Sequence, residues 1–180
     1  GVNAALLASA LGANVEIFDI NLDRLREIDL MFHGKITTRA SSHGSISASI
    51  KTADCVIGAV LVPGGRAPIV VDEDMVKTMM PGSVIVDTAI DQGGCISTSH
   101  ETSHTEPTYV LHDVVHYAVG NMPGAVSHTS TYALTNATLP FIVAIARLGI
   151  DDSIKNKVGL LEGLNTRDGQ VVNKIVKATL

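Results

Sequence analysis

The chain has 180 residues and a mass of 18.8 kDa, a size that fits one ordinary domain or a domain with part of another. Hydrophobic residues make up 46% and charged residues 17%, which excludes disorder as the main state. The net charge is -5 with no basic block, so no nucleic-acid partner is expected, and the longest apolar runs, such as 55–63 and 110–119, are short or interrupted by Gly, His and Asp and fall well under the roughly 20 residues of a membrane span, so no membrane association is expected.

The first residues, Gly1 and then 2–11, have helix composition, and Gly12 stands where a C-cap glycine belongs. Neither an initiator Met nor a signal peptide opens the chain, and the element expected before this helix is absent from the sequence. Residues 13–19 alternate as a strand ending in Asp19, and Asn21 is placed to cap a second helix. A short β-branched segment follows at 35–39; Ser41, Ser42, Ser45, Ser47 and Ser49 then mark a loop and the start of a helix over 45–52. Residues 54–62 are almost continuously apolar, which predicts a strand buried on both faces of a parallel sheet, broken by Pro63-Gly64-Gly65. Asp72 or Asp74 is expected to cap a helix over 75–80, Pro81-Gly82 is a turn, 83–89 is another buried strand, and a last strand signal lies at 109–112. Strands alternating with helices predict a doubly wound α/β sheet.

From 129 to 148 the sequence becomes one long apolar helix that needs a large partner surface, with Pro140 expected to kink or divide it. Beyond Gly149 the chain turns polar, with helical pieces expected near 151–161 and 169–179 and no strand signal. The two cysteines, Cys55 and Cys95, lie in apolar contexts and are expected as buried thiols of a reducing, cytoplasmic setting.

The chemistry concentrates at two acids. A helix that begins at a glycine and leads to a strand ending in an acid is the second half of a dinucleotide-binding βαβ unit. Its backbone N–H groups and dipole hold the pyrophosphate, and Asp19 takes the ribose hydroxyls. Such an acid repels a 2′-phosphate, so NAD is favoured over NADP; a helix-capping or solvated acid is the alternative for Asp19. Asp91 follows a buried strand and precedes Gly93-Gly94, in the place where open α/β sheets bind ligands, and could orient a proton-transferring water. An Asx turn is its alternative. Asp87, inside the strand run, is a candidate buried structural acid. The pairs His100/His104 and His112/His116 are four apart but sit on no convincing helix, so no metal is expected. His112 and Asp113 are expected on opposite faces of a strand, and Cys95 is expected to be an inert thiol.

Four blocks, 54–68, 90–95, 120–126 and 129–138, closely resemble bacterial alanine dehydrogenase, and the likeness covers nearly the whole chain. The related transhydrogenase domain resembles these blocks less. The resemblance implies a Rossmann-type doubly wound parallel sheet, incomplete at its N-terminus, with C-terminal helices. Residues 1–126 would be the NAD-binding domain, and 127–180 a helical segment packing on an N-terminal substrate domain with no counterpart here. It implies reversible oxidative deamination of L-alanine to pyruvate and ammonia with NAD, in a homo-oligomer. In this likeness Gly1 is the last glycine of the phosphate loop, Asp19 the ribose acid and Arg24 a neighbour of the adenosine end. Ser41, Val60 and Leu61 are cofactor contacts, Asp91 is the catalytic aspartate, and Val119, Asn121 and Met122 form the loop beside the nicotinamide. Gly120, Gly124 and Thr88 depart from the family's usual residues. A non-catalytic nucleotide-binding or oligomerisation module and a dehydrogenase for another amino acid are the rival readings.

Overall fold

Helix ends in this chain are set by short-range chemistry. In the computed structural model, which describes residues 1–156 and 159–179, helix α1 (Val2–Ala10) starts at Gly1 without a side-chain cap. It closes in a Schellman turn: Gly12 takes a φ of 88°, and Ala13 N–H donates to Ala8 O at 3.0 Å. Asn21 caps α2 (Leu22–Phe32) by accepting from Arg24 N–H at 3.0 Å, and Ser42 with Ser45 forms a reciprocal capping box on α3 (His43–Ile50). Asp72 caps α4 (Glu73–Val76), which is shorter than the expected helix over 75–80.

Two compact units divide the described chain, one of 1–61 with 67–120 and one of 62–66 with residues from Asn121 onward. In the first, β1 (Glu16–Asp19) pairs in parallel with β2 (Thr37–Ala40). A separate four-stranded sheet runs β3-β4-β6-β5, built from Cys55–Gly58, Val84–Asp87, Val114–Tyr117 and Thr108–Leu111. Strands β3, β4 and β6 are parallel, and β5 is the antiparallel edge. Ala5, Ile28, Phe32 and Ile36 form one core beside β1, where α1 and α2 meet; Ile50, Val71, Met75, Val76, Met79, Ile85, Cys95, Ile96 and Val114 are part of the other.

Several expectations need correction. The apolar run 54–62 yields only four strand residues, and burial is one-sided. Along one face Gly58, Ile85, Asp87, Val114 and His116 are buried, whereas Cys55 and Ile57 on the other face of β3 are exposed. An apolar run is buried on both faces only where both are covered, and so Cys55 is exposed rather than buried. His112 and Asp113 are the two turn residues of the β5–β6 hairpin, with φ of 55° and 59°, not members of a strand. Both adopt the left-handed conformation of a type I′ turn without the usual glycine, which is why the second strand is hard to read from sequence.

In the second unit α5 (Ser127–Asn156) runs through Pro140 and is broken instead at Gly149, where φ is 72° and ψ is 175°. A proline deletes one hydrogen bond, but a residue outside the helical region reverses the chain's path. The segment Met122–Asn156 is long and apolar enough to cross a membrane by length and composition, a test that buried core helices also pass. Counting unbroken apolar runs misses it because Thr, Asn and Ser are spread along it. The polar tail carries a small hairpin, β7 (Thr166–Arg167) and β8 (Gln170–Val171), turned by Asp168-Gly169, where no strand was expected. It shortens the expected 169–179 helix to α6 (Lys174–Thr179); part of the expected 151–161 helix lies outside the described residues.

Candidate functional site

The candidate residues of the first unit stand beyond the carboxyl ends of its strands, the place where open α/β sheets bind ligands. Asp19 is the last residue of β1, and its Oδ1 accepts from Asn21 N–H at 2.8 Å. Ser41 N–H donates to Asp19 O at 2.9 Å, which brings Ser41 and Asp19 together. Arg24, in the first turn of α2, donates to Glu27 at 2.7 Å, so its side chain is drawn along the helix surface. Gly1 lies beside the chain leaving β3: a Cβ there would stand 3.5 Å from Ala59 Cβ, next to Val60 and Leu61. Leu61 is exposed. The uncapped start of α1 is thus held against the carboxyl end of β3.

Beyond β4, Asp91 is exposed in a short 3-10 turn, Ile90–Gln92, followed by Gly93 and Gly94 with φ of 92° and 78°. Glycine is required at both, because a side chain at such angles is strained. Asp87, foreseen as a buried structural acid, is 0% exposed and accepts from Ala89, Cys95 and Ile96 N–H at 3.0, 2.9 and 3.2 Å. The Cys95 thiol contacts the same carboxylate, and burial first, then Asp87, pushes its pKa up to about 12, so it is a poor nucleophile. Two further anchors escaped the sequence reading. Thr88 donates to Gly58 O through both N–H, at 2.8 Å, and Oγ1, at 2.7 Å, a bond that a larger aliphatic residue could not make. Gly58 lets Cys95 approach, since a Cβ there would lie 2.5 Å from the Cys95 sulfur. A glycine within an apolar strand was the available signal.

After β6, Val119 is fully buried and bridges to Thr102, so no part of it is exposed to a ligand in this structure. A Cβ at Gly120 would overlap the Glu101 carboxylate, the far end of an exposed side chain that would have to swing aside. Asn121, left-handed with φ of 53°, and Met122 begin the second unit at a 3-10 turn, Met122–Val126; Ser130 Oγ donates to Pro123 O at 2.7 Å and ties that turn to α5.

The histidines are placed by structure. His112 contacts Glu73 at 2.9 Å, and among the described residues no group of three or more His, Cys, Asp or Glu is arranged to hold a metal ion. His100, Tyr109 and His116 stack in series, with ring centroids 3.7 and 4.9 Å apart. His116 is fully buried. Its Nδ1 lies 3.0 Å from Val114 O, which only accepts, so Nδ1 carries the proton and Nε2 accepts from the Thr98 hydroxyl at 2.8 Å. Burial lowers its pKa. Below about pH 6.5, the ordinary histidine value, the unfolded chain therefore binds a proton that the folded chain resists, and stability falls as pH falls. Urea midpoints of the complete protein should drop between about pH 7.5 and 5.5, a window that spans that value, and the drop should be smaller in His116→Phe. Equal drops in both proteins would show that His116 is not the group involved.

Comparison with known proteins agrees with the fold. The family model for the alanine dehydrogenase/PNT C-terminal domain matches residues 1–174. Alanine dehydrogenase of Mycolicibacterium smegmatis is 47% identical over 180 residues, covering 100% of this chain and 48% of that protein. The Geobacillus stearothermophilus enzyme of the same name is 50% identical over 179 residues, covering 99% and 48%. A solved L-alanine dehydrogenase structure matches with a TM-score of 0.83 at 47% identity, covering 98% of this chain and 48% of that one. A transhydrogenase from Sinorhizobium meliloti, at 23% identity, TM-score 0.73 and coverage of 97% and 46%, shares the fold. The chain spans about half the length of the relatives it matches. On the family model and these identities, its Rossmann-type α/β unit and C-terminal helix make it a member of the alanine dehydrogenase/PNT C-terminal domain family.

Proposed function

We propose that this chain is the NAD-binding portion of an enzyme that reversibly deaminates L-alanine to pyruvate and ammonia. The observation that carries the reading is Asp91, exposed beyond the carboxyl end of β4 on a loop whose two ends are fastened by Asp87.

The residues fit a dinucleotide. The first N–H groups of α1 have no side-chain cap, which suits a pyrophosphate. Asp19 suits the adenosine ribose hydroxyls and disfavours a 2′-phosphate, and Arg24, Ser41, Val60 and Leu61 surround that end. The family likeness assigns Val119, Asn121 and Met122 to the loop beside the nicotinamide. When bound, NAD supplies the acceptor for the hydride that leaves the alanine Cα. The Asp91 carboxylate holds the water that adds to the oxidised carbon and takes up its proton, while residues of the substrate domain hold alanine. Residues 1–126 form the cofactor domain, and 127–180 pack on the substrate domain; the exposed Leu134, Leu139 and Ile142 of α5 support such packing. A homo-oligomer in the cytoplasm, with no membrane contact, completes the proposal.

The test is a panel of amino acids offered to the complete protein with NAD and with NADP. NADH formation with L-alanine and NAD is the expected result; turnover with a different amino acid alone, or with none, overturns the assignment.

A further inference from the structure

Asp87 has no substrate-binding part in the reading above, yet it is the most enclosed ionisable group of the site. A carboxylate taken out of water costs several kcal/mol unless its oxygens are hydrogen-bonded. Here they are: Oδ1 accepts from Ala89 N–H, and Oδ2 accepts from Cys95 and Ile96 N–H. These donors flank the segment 90–94 on both sides, so one buried anion ties its entrance to its exit. Inside that span Gln92 N–H donates to Ala89 O at 2.8 Å, Gly93 N–H to Ile90 O at 2.9 Å and Gly94 N–H to Ala89 O at 3.0 Å. The loop is therefore a small rigid body, oriented by the carboxylate at its base. Two glycines make room for that carboxylate, since a Cβ at Gly94 would lie 3.0 Å from Oδ2 and one at Gly58 3.2 Å from Oδ1.

We propose that Asp87 is a positioning residue for the reaction, whose buried carboxylate sets the place of Asp91 by joining the two ends of the loop that carries it. This rests on the role given to Asp91 under the proposed function. Every polar hydrogen directed at Asp87 belongs to a donor, so an amide in its place sets an N–H group against N–H groups and releases one end of the loop. A misplacement of about 1 Å in a reacting group is enough to cost about 10²-fold in rate.

The experiment is a double-mutant cycle in the complete enzyme, with Asp87→Asn, Asp91→Asn and the pair, reading kcat, the KM for L-alanine and NADH binding by fluorescence. Asp87→Asn should lower kcat by about 10- to 100-fold with the KM for L-alanine and NADH affinity unchanged. In the Asp91→Asn background it should lower the residual rate no further, because a residue that acts through Asp91 has nothing left to position. A general loss of structure would instead multiply the two effects and weaken NADH binding, and that result overturns the proposal. So does an Asp87→Asn enzyme with undiminished kcat. If Asp91→Asn itself retains full kcat, the role of Asp91 fails first and the proposal with it. Should Asp87→Asn not fold, Cys95→Ala removes the thiol contact together with some packing of a buried core side chain, and it is expected to lower kcat by about 2- to 5-fold, again only while Asp91 is present. No change in kcat there overturns the proposal.

Discussion

Asp91→Asn in the complete enzyme is expected to lower kcat for alanine-dependent NADH formation by about 10²- to 10⁴-fold, the range that a positioned proton-transfer group supplies. The substitution keeps size and shape but removes the ability to take up a proton. The loop should survive it, because its ends are fastened through Asp87 and its bend is made by Gly93 and Gly94, not by Asp91. NADH binding, which the proposed function assigns to Asp19 and the start of α1, is expected to stay unchanged. Steady-state rates together with a fluorescence titration separate the two quantities. An Asp91→Asn enzyme as fast as the parent would remove Asp91 from the chemistry.

Asp19→Ala should act on the opposite half of the cofactor. A carboxylate that accepts from ribose hydroxyls contributes about 1.5–3 kcal/mol, so kcat/KM for NAD should fall by roughly 10- to 100-fold. The same change removes the charge that repels a 2′-phosphate, so kcat/KM for NADP should fall less or rise, and the preference between the two cofactors should narrow. The local fold should tolerate it: the Asn21 N–H that loses its acceptor is exposed and can turn to water, and Asn21 still caps α2 through Arg24 N–H. A parallel loss for both cofactors would point to damage at the strand end instead of lost discrimination.

Much of the fold was legible because its signals are local. Asn21, Ser42 and Asp72 cap helices where their side chains are placed to do so, and Gly12 ends α1 by the conformation only glycine adopts cheaply. Where reading failed, the deciding interaction was absent from the neighbouring residues. The His112-Asp113 turn has no glycine, so β6 was hidden behind it. The Asp168-Gly169 pair is a hairpin signal that the polar tail obscured, and Gly149 rather than Pro140 broke α5. Asp91 and Asp19 could be singled out from strand ends alone, whereas the anchors Thr88 and Gly58 depend on a neighbouring strand 30 residues away from one of them.

By itself the order of residues determined most of the helices and the strands before Asp91, where most helices begin, and which acids stand at strand ends, since caps, turns and periodicity act within a few bonds. Only tertiary structure decided which face of β3 is covered, how Asp87 is sealed beneath the loop of Asp91, and why Gly58 carries no side chain. Those outcomes depend on atoms brought together from distant parts of the chain, and burial, unlike propensity, is a property of the neighbours a residue acquires.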